Sequence, residues 1–151
     1  MEKLKHGDTA PDFKLMDQNS KFTDLASFKG EKLLVYFYPE ADTPGCTRQA
    51  QSVEANLAEL ANLDVMCVGI SPDPVESQKR FAEKYKLEFP LLSDYDHKVA
   101  AAFGVWDDEM GGIIRSSFLI DENGKIIDAQ YGVKPEDTVP KAMEALQTAA
   151  K

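Results

Sequence analysis

The hydrophobic residues of this chain form short runs that alternate with amphipathic stretches, and this pattern predicts alternating strands and helices. Residues 33–38 are almost wholly apolar, which is typical of a strand covered on both faces. Over residues 43–62 the apolar positions recur at helical spacing, and a second strand-like run follows over 63–71. Together these three segments predict a β-α-β unit with parallel strands.

The second half of the chain continues the alternation. The pattern predicts a helix over 74–85, a short strand over 89–92, and a short helix that starts at Asp94 or Tyr95 and ends at Phe103. Asn123-Gly124 separates the strand-like residues 115–120 from 125–129, which is a strong hairpin signal. An amphipathic helix follows over 137–149.

This order of elements predicts an α/β protein with a thioredoxin-like fold, in which helices flank a mixed central sheet. A length of 151 residues fits one compact core, so we expect a single domain over residues 1–151. Ligands of open α/β sheets bind outside the C-terminal ends of the strands. The segment that leaves the first central strand, residues 38–46, is therefore the expected position of a site.

Charge and apolar length narrow the possible partners and location. The net charge of −9 would repel nucleic acid and anionic lipid, so we expect neither as a partner. The longest apolar run is far shorter than the ~20 residues of a membrane-spanning helix. Residues 1–8 lack the apolar centre of a signal peptide, so we expect a cytoplasmic protein.

Two cysteines, Cys46 and Cys67, are the candidate reactive residues. In a cytoplasmic protein a stabilising disulfide is improbable, and a catalytic or simply buried thiol is the better expectation. Cys67 lies in the middle of an apolar strand, where a lone cysteine is ordinarily a buried core residue. A Cys46–Cys67 disulfide is the alternative, and it would demand local unfolding.

Cys46 lies where a loop enters a helix. Thr43 is a suitable N-cap and Pro44 suits the first helical position, so Cys46 falls in the first turn. The unpaired N–H groups and the helix dipole there favour a thiolate. The Thr43 hydroxyl lies about one turn away and can share a pocket with the sulfur. A thiolate with hydroxyl and N–H donors but no adjacent base suits attack on a peroxide oxygen.

Two other thiol chemistries fit the sequence poorly. A cysteine protease needs a histidine partner, yet His6 lies in the N-terminal segment and His97 in a helix that looks solvent-exposed. A thioredoxin-type disulfide exchanger needs a second cysteine three positions later, and Gln49 occupies that position.

The residues around Cys46 also resemble a known family, the peroxiredoxins, and in particular their bacterioferritin-comigratory-protein or PrxQ group. Pro39-xxx-Thr43-xx-Cys46 is similar to the active-site motif of that family. Further segments resemble the family in the same order along the chain: Gly7-Asp8-Thr9-Ala10-Pro11-Asp12-Phe13, Phe28-Lys29-Gly30, Leu92-Ser93-Asp94, Phe103-Gly104-Val105-Trp106 and Arg115-Ser116-Ser117-Phe118-Leu119-Ile120-Asp121. The resemblance therefore covers most of the chain.

This resemblance implies a thiol-dependent peroxidase that reduces hydrogen peroxide and organic hydroperoxides without a metal or a bound cofactor. It implies that Cys46 attacks the peroxide and becomes a sulfenic acid. Thr43 would hydrogen-bond the peroxide, Pro39 would shield the sulfenic acid, and Arg115 would hold the thiolate and the O–O bond. From spacing alone, Arg115 could equally pair with one of the 26 acidic residues.

Departures from the group concern the second half of the reaction. Gln51 stands where many members carry a resolving cysteine, Gln49 stands where Glu is common, and the stretch between Trp106 and Arg115 looks short. We therefore expect a one-Cys enzyme, monomeric or weakly homodimeric, whose reductant is thioredoxin, glutaredoxin or a low-molecular-weight thiol. The alternative is a thioredoxin-fold binding or chaperone-like module with an incidental cysteine.

Overall fold

A seven-stranded mixed sheet forms the centre of the protein, whose computed structural model describes residues 3–149. The strands are β1 (Lys14–Met16), β2 (Phe22–Asp24), β3 (Lys32–Phe37), β4 (Val65–Ser71), β5 (Leu91–Ser93), β6 (Trp106–Asp107), β7 (Gly112–Ile113), β8 (Ser116–Ile120) and β9 (Ile126–Tyr131). The helices are α1 (Pro44–Ala55), α2 (Leu57–Asn62), α3 (Val75–Tyr85), α4 (Lys98–Ala102) and α5 (Thr138–Ala149). No helix within the described residues is long and apolar enough to cross a bilayer.

The strand order is β2-β1-β5-β4-β3-β8-β9, and β6 and β7 form a separate small hairpin. The predicted β-α-β unit is confirmed, because β3 and β4 are parallel neighbours joined through α1 and α2. The predicted hairpin is confirmed as well: β8 and β9 are antiparallel and form one edge of the sheet. Its turn is closed by Asp121 Oδ1, which accepts hydrogen bonds from the backbone N–H groups of Asn123 and Lys125.

Hydrophobic clusters cover both faces of the sheet. On one face Leu34, Tyr36 and Tyr38 pack with residues of α1, α3 and α5. On the other face Leu33, Val35 and Phe37 pack with a second cluster that includes residues of α4 and β8. The prediction that the first central strand is covered on both faces is therefore confirmed, and its alternating side chains decide which residues meet α1.

The predicted helix over 43–62 is interrupted at Asn56, where φ is −110° and ψ is 6°. The Asn56 side chain donates to the carbonyl oxygen of Ser52 at 2.7 Å, a local bond of the kind that competes with regular helix. The predicted helix over 94–103 is shorter, because His97 has a φ of +50° and the helix begins only at Lys98. The N–H groups of its second and third residues, Val99 and Ala100, donate to the buried carboxylate of Asp94.

Four short strands were not predicted. β1 and β2 have three residues each, and β6 and β7 have two each. Runs of this length contain too few residues to show an alternating pattern, so the sequence carries no periodic signal for them.

Candidate active site

The helix start around Cys46 is built as predicted. Thr43 is the N-cap residue of α1, with a φ of −100° and a ψ of 158°, and Pro44 opens the helix. Cys46 lies in the first turn, where the backbone N–H groups have no partner within the helix. Its side chain is only 1% exposed, so the sulfur faces the protein rather than bulk water.

Arg115 approaches the sulfur at the edge of the sheet where β3 ends. It comes directly before β8, whose Ser116 pairs with Phe37 at the end of β3. This register brings Arg115 to the edge where the chain leaves β3 for α1. The Arg115 Nη1 atom lies 3.5 Å from Cys46 Sγ, within hydrogen-bond distance for sulfur. The sequence left two partners open for Arg115, the Cys46 sulfur and an acidic residue. None of the ion pairs among residues 3–149 includes Arg115, so the structure favours the sulfur.

Gln49 also contacts Arg115, a role that neither its place where a CxxC motif has its second cysteine nor its departure from the family pattern predicted. Its side chain is fully buried, and its Oε1 atom accepts a hydrogen bond from Arg115 Nη1 at 2.6 Å. Gln49 lies three residues after Cys46, on the same side of α1 as the buried Ala50 and Val53. An amide on the apolar stripe of a helix was the signal that could have identified it.

Gly45 makes room for the guanidinium group. A Cβ atom at this position would lie 3.1 Å from Arg115 Nη2 and 3.4 Å from Pro135 Cγ. The first of these distances is shorter than ordinary van der Waals contact, so an alanine here would require Arg115 to shift by a few tenths of an ångström. The absence of a side chain at Gly45 therefore permits the approach of Arg115 to Cys46.

Thr43 and Pro39 lie in the loop before α1. The Thr43 side chain does not cap the helix, and its hydroxyl instead donates to the carbonyl oxygen of Glu40 at 2.8 Å. With its proton used in this way, the Thr43 oxygen keeps lone pairs that can accept a further hydrogen bond. Pro39 is exposed two positions after the end of β3.

Side chains for which the sequence carried no functional signal hold the loop against α3. Asp73 Oδ2 accepts a hydrogen bond from the Ala41 backbone N–H at 2.7 Å. Asp42, with a φ of +60°, pairs with Lys84 Nζ at 2.9 Å and accepts from the Tyr85 hydroxyl at 2.8 Å. The hydrogen bonds from Lys84 and Tyr85 lower the pKa of Asp42 below its usual value. Two consecutive loop residues are thus fixed by partners near the two ends of α3.

Cys67 is placed as a core residue. It is 3% exposed, lies opposite Leu34 in the parallel pair of β3 and β4, and is a free thiol, as is Cys46. Burial raises the pKa of the Cys67 thiol to about 12. A thiol in this environment stays protonated and is a poor nucleophile.

The two histidines make their contacts away from the sulfur. His6 is exposed, and its Nδ1 atom lies 2.8 Å from the carbonyl oxygen of Ile127. His97, expected in a solvent-exposed helix, is instead the N-cap residue of α4, and its half-buried ring stacks on Trp106 with 3.7 Å between ring centroids. Trp106 belongs to the unpredicted strand β6. Across residues 3–149, no group of three or more His, Cys, Asp or Glu side chains could hold a metal ion.

Comparisons with known proteins cover nearly the whole chain. The sequence model of the AhpC/TSA family matches residues 6–129. The chain is 52% identical over 132 residues to peroxiredoxin Bcp of Escherichia coli, covering 83% of this chain and 85% of that protein. It is 40% identical over 150 residues to peroxiredoxin Bcp of Bacillus subtilis, covering 95% and 96%. The crystal structure of peroxidoxin BcpB from Mycobacterium tuberculosis matches with a TM-score of 0.90 at 36% identity, covering 96% and 97%.

Proposed function

Because this chain belongs to the AhpC/TSA family and is a thiol-dependent peroxidase of the Bcp and PrxQ group of peroxiredoxins, we propose that Cys46 is its peroxidatic residue and that an external thiol reduces it afterwards. The observation that carries the first part is the 3.5 Å contact between Arg115 Nη1 and Cys46 Sγ. A guanidinium group at that distance stabilises a thiolate and leaves further N–H groups for an incoming oxygen.

The first step is attack of the Cys46 thiolate on the terminal oxygen of a hydroperoxide. The new S–O bond forms as the O–O bond breaks, so the sulfur is oxidised to a sulfenic acid and the peroxide is reduced. The leaving oxygen departs with the electron pair of the O–O bond and takes a proton from solvent, giving water or an alcohol. Arg115 offsets the negative charge that passes from the sulfur to the leaving oxygen.

Thr43 and Pro39 have supporting roles in this proposal. The Thr43 hydroxyl already donates to Glu40, so its oxygen accepts the proton of the peroxide O–H and aligns the attacked oxygen with the sulfur. In this proposal Pro39, from the same loop, shields the sulfenic acid from water, which is the role that the family motif assigns to it. The binding or chaperone-like module with an incidental cysteine is disfavoured, because it leaves the Arg115, Gln49 and Cys46 contacts without a purpose.

The second step is reduction by an external thiol, which makes the protein a one-Cys enzyme. A thiol of the reductant attacks the sulfenic sulfur and displaces water, and a second thiol then breaks the mixed disulfide and restores Cys46. Two features support this route: Gln51 cannot form a disulfide, and Cys67 is a buried, protonated thiol in mid-strand. Thioredoxin, glutaredoxin and low-molecular-weight thiols are the candidate reductants, and all of them are available in the cytoplasm, where we propose the protein acts.

We also propose that the chain works as a single thioredoxin-like domain, as a monomer or a weak homodimer. Support for the single domain comes from the two hydrophobic clusters, which lie on opposite faces of one sheet.

The test combines peroxide consumption with intact mass. Cys46→Ser is expected to abolish peroxide consumption in the presence of dithiothreitol, whereas Cys67→Ser should retain it. After one equivalent of peroxide the wild-type mass should rise by one oxygen atom, located at Cys46. Loss of two hydrogen atoms instead, absent in Cys67→Ser, would establish a Cys46–Cys67 disulfide and overturn the one-Cys route. Unchanged peroxide consumption in Cys46→Ser would overturn the peroxidatic assignment.

A further inference from the structure

Thr138 is a fully buried polar residue at the start of α5. Its Oγ1 atom accepts a hydrogen bond from Gln49 Nε2 at 2.8 Å. The other end of the same amide, Gln49 Oε1, accepts from Arg115 Nη1, which in turn contacts Cys46 Sγ. One continuous chain of hydrogen bonds therefore connects the first residue of α5 to the sulfur.

We propose that Thr138 is a positioning residue of the peroxidase reaction: by accepting the Gln49 N–H, it fixes the amide so that the carbonyl oxygen holds Arg115 against Cys46. This inference rests on the proposed roles of Cys46 and Arg115. Thr138 touches neither the sulfur nor the peroxide, and it acts only through Gln49.

The two ends of the Gln49 amide need different partners. A guanidinium group can only donate hydrogen bonds, so Oε1 must be the end that faces Arg115. The NH₂ end then points away into a fully buried environment, where a donor without a partner is unfavourable. Thr138 Oγ1 supplies the acceptor that this orientation needs. Without it, Gln49 lowers its energy by turning or withdrawing its amide, and Arg115 loses its 2.6 Å acceptor.

A neutral partner is important for the charge of Arg115. Gln49 holds the guanidinium group in place without neutralising it, and none of the ion pairs of the described residues includes Arg115. The full positive charge therefore remains available to the thiolate and to the leaving oxygen. The Thr138 hydroxyl thus stabilises a geometry in which one half-buried cation faces the Cys46 sulfur.

The chain offers a matched pair of variants for the test. Thr138→Val removes the hydroxyl and keeps the branched shape, whereas Thr138→Ser keeps the hydroxyl and removes a methyl group. Each protein is reacted in single turnover with hydrogen peroxide and, separately, with iodoacetamide, across a pH series up to the plateau of each rate. Iodoacetamide reports the reactivity of the Cys46 thiolate alone, because alkylation has no O–O bond for Arg115 to polarise.

In Thr138→Val the plateau rate with peroxide should fall about tenfold, which corresponds to ~1.4 kcal/mol of lost transition-state stabilisation. The plateau rate with iodoacetamide should change less than twofold, and Thr138→Ser should match the wild type with both reagents. If Thr138→Val does not fold, Thr138→Ala replaces it, because it lacks the hydroxyl and adds no bulk.

Two results would overturn the inference. One is a wild-type peroxide rate in the variant without the hydroxyl, and the other is an equal loss with both reagents that Thr138→Ser shares. Cys46→Ser separates these results from failure of the proposed function. If Cys46→Ser is inactive and Thr138→Val reacts at the wild-type rate, only the proposed role of Thr138 is refuted. If Cys46→Ser still consumes peroxide, the peroxidatic role of Cys46 is refuted as well.

Discussion

Tyr36 and Tyr38 permit a sharp test of how a buried hydroxyl affects stability. Both rings are fully buried on the same face of the sheet, two residues apart at the end of β3. The Tyr38 hydroxyl donates to Gln78 Oε1, whereas the Tyr36 hydroxyl is buried without a hydrogen-bond partner. The same substitution, Tyr to Phe, should therefore have opposite effects at the two positions.

The magnitudes follow from these contacts. A buried polar group without a partner costs about 1–3 kcal/mol, and Tyr36→Phe removes that cost while leaving a void of one oxygen atom. We expect Tyr36→Phe to raise the free energy of unfolding by about 1 kcal/mol. Tyr38→Phe loses a hydrogen bond and leaves Gln78 Oε1 without its donor, so it should lower that free energy by about 1–3 kcal/mol.

Urea unfolding of the wild type and both variants measures the two effects, provided that the slope with denaturant is unchanged. In thermal unfolding, about 1 kcal/mol should appear as a shift of ~2–4 °C in a domain of this size. A Tyr36→Phe variant that is less stable than the wild type by 1 kcal/mol or more would refute the reasoning, because the hydroxyl would then have a favourable partner in solution.

Three further predictions concern glycines and the second thiol. The free energy of unfolding of Gly45→Ala should lie within about 0.5 kcal/mol of the wild-type value. Its reaction with peroxide in stopped-flow measurements should be about fivefold slower, because the added Cβ would displace Arg115, and an unchanged rate would contradict this. Gly69→Ala should cost about 1–3 kcal/mol in urea unfolding, since its Cβ would lie 2.9 Å from the buried ring of Tyr36; a neutral effect would show that the ring can shift. Burial raises the pKa of the Cys67 thiol from the ordinary 9.0 to about 12 in the folded protein. As the pH rises, the thiol therefore loses its proton in the unfolded chain first, and the free energy of unfolding decreases between pH 9 and pH 12. Between pH 9 and 12 the wild type should lose about 1.4 kcal/mol more per pH unit than Cys67→Ala, and parallel pH profiles would refute this.

The sequence by itself determined the features that depend on local order along the chain. The parallel β-α-β unit, the hairpin at Asn123-Gly124 and the placement of Cys46 in a first helical turn all follow from spacing of apolar and turn residues within about 40 positions. Residue preferences predicted Thr43 at the N-cap and Pro44 at the first helical position, because they act between neighbouring residues; the positions are as predicted, although the Thr43 hydroxyl bonds to Glu40 rather than to a helix N–H.

Only the tertiary structure decided which distant side chains meet. Arg115 is 69 positions from Cys46 and Thr138 is 89 positions from Gln49, so their contacts depend on strand register and helix packing rather than on local spacing. The antiparallel pairing of β8 with β3 brings Arg115 to the sulfur, and packing of α5 beside α1 places a hydroxyl behind Gln49. The sequence therefore singled out Cys46 as the candidate reactive residue, whereas its contacts with Arg115 and Gln49 depend on how the sheet and helices assemble.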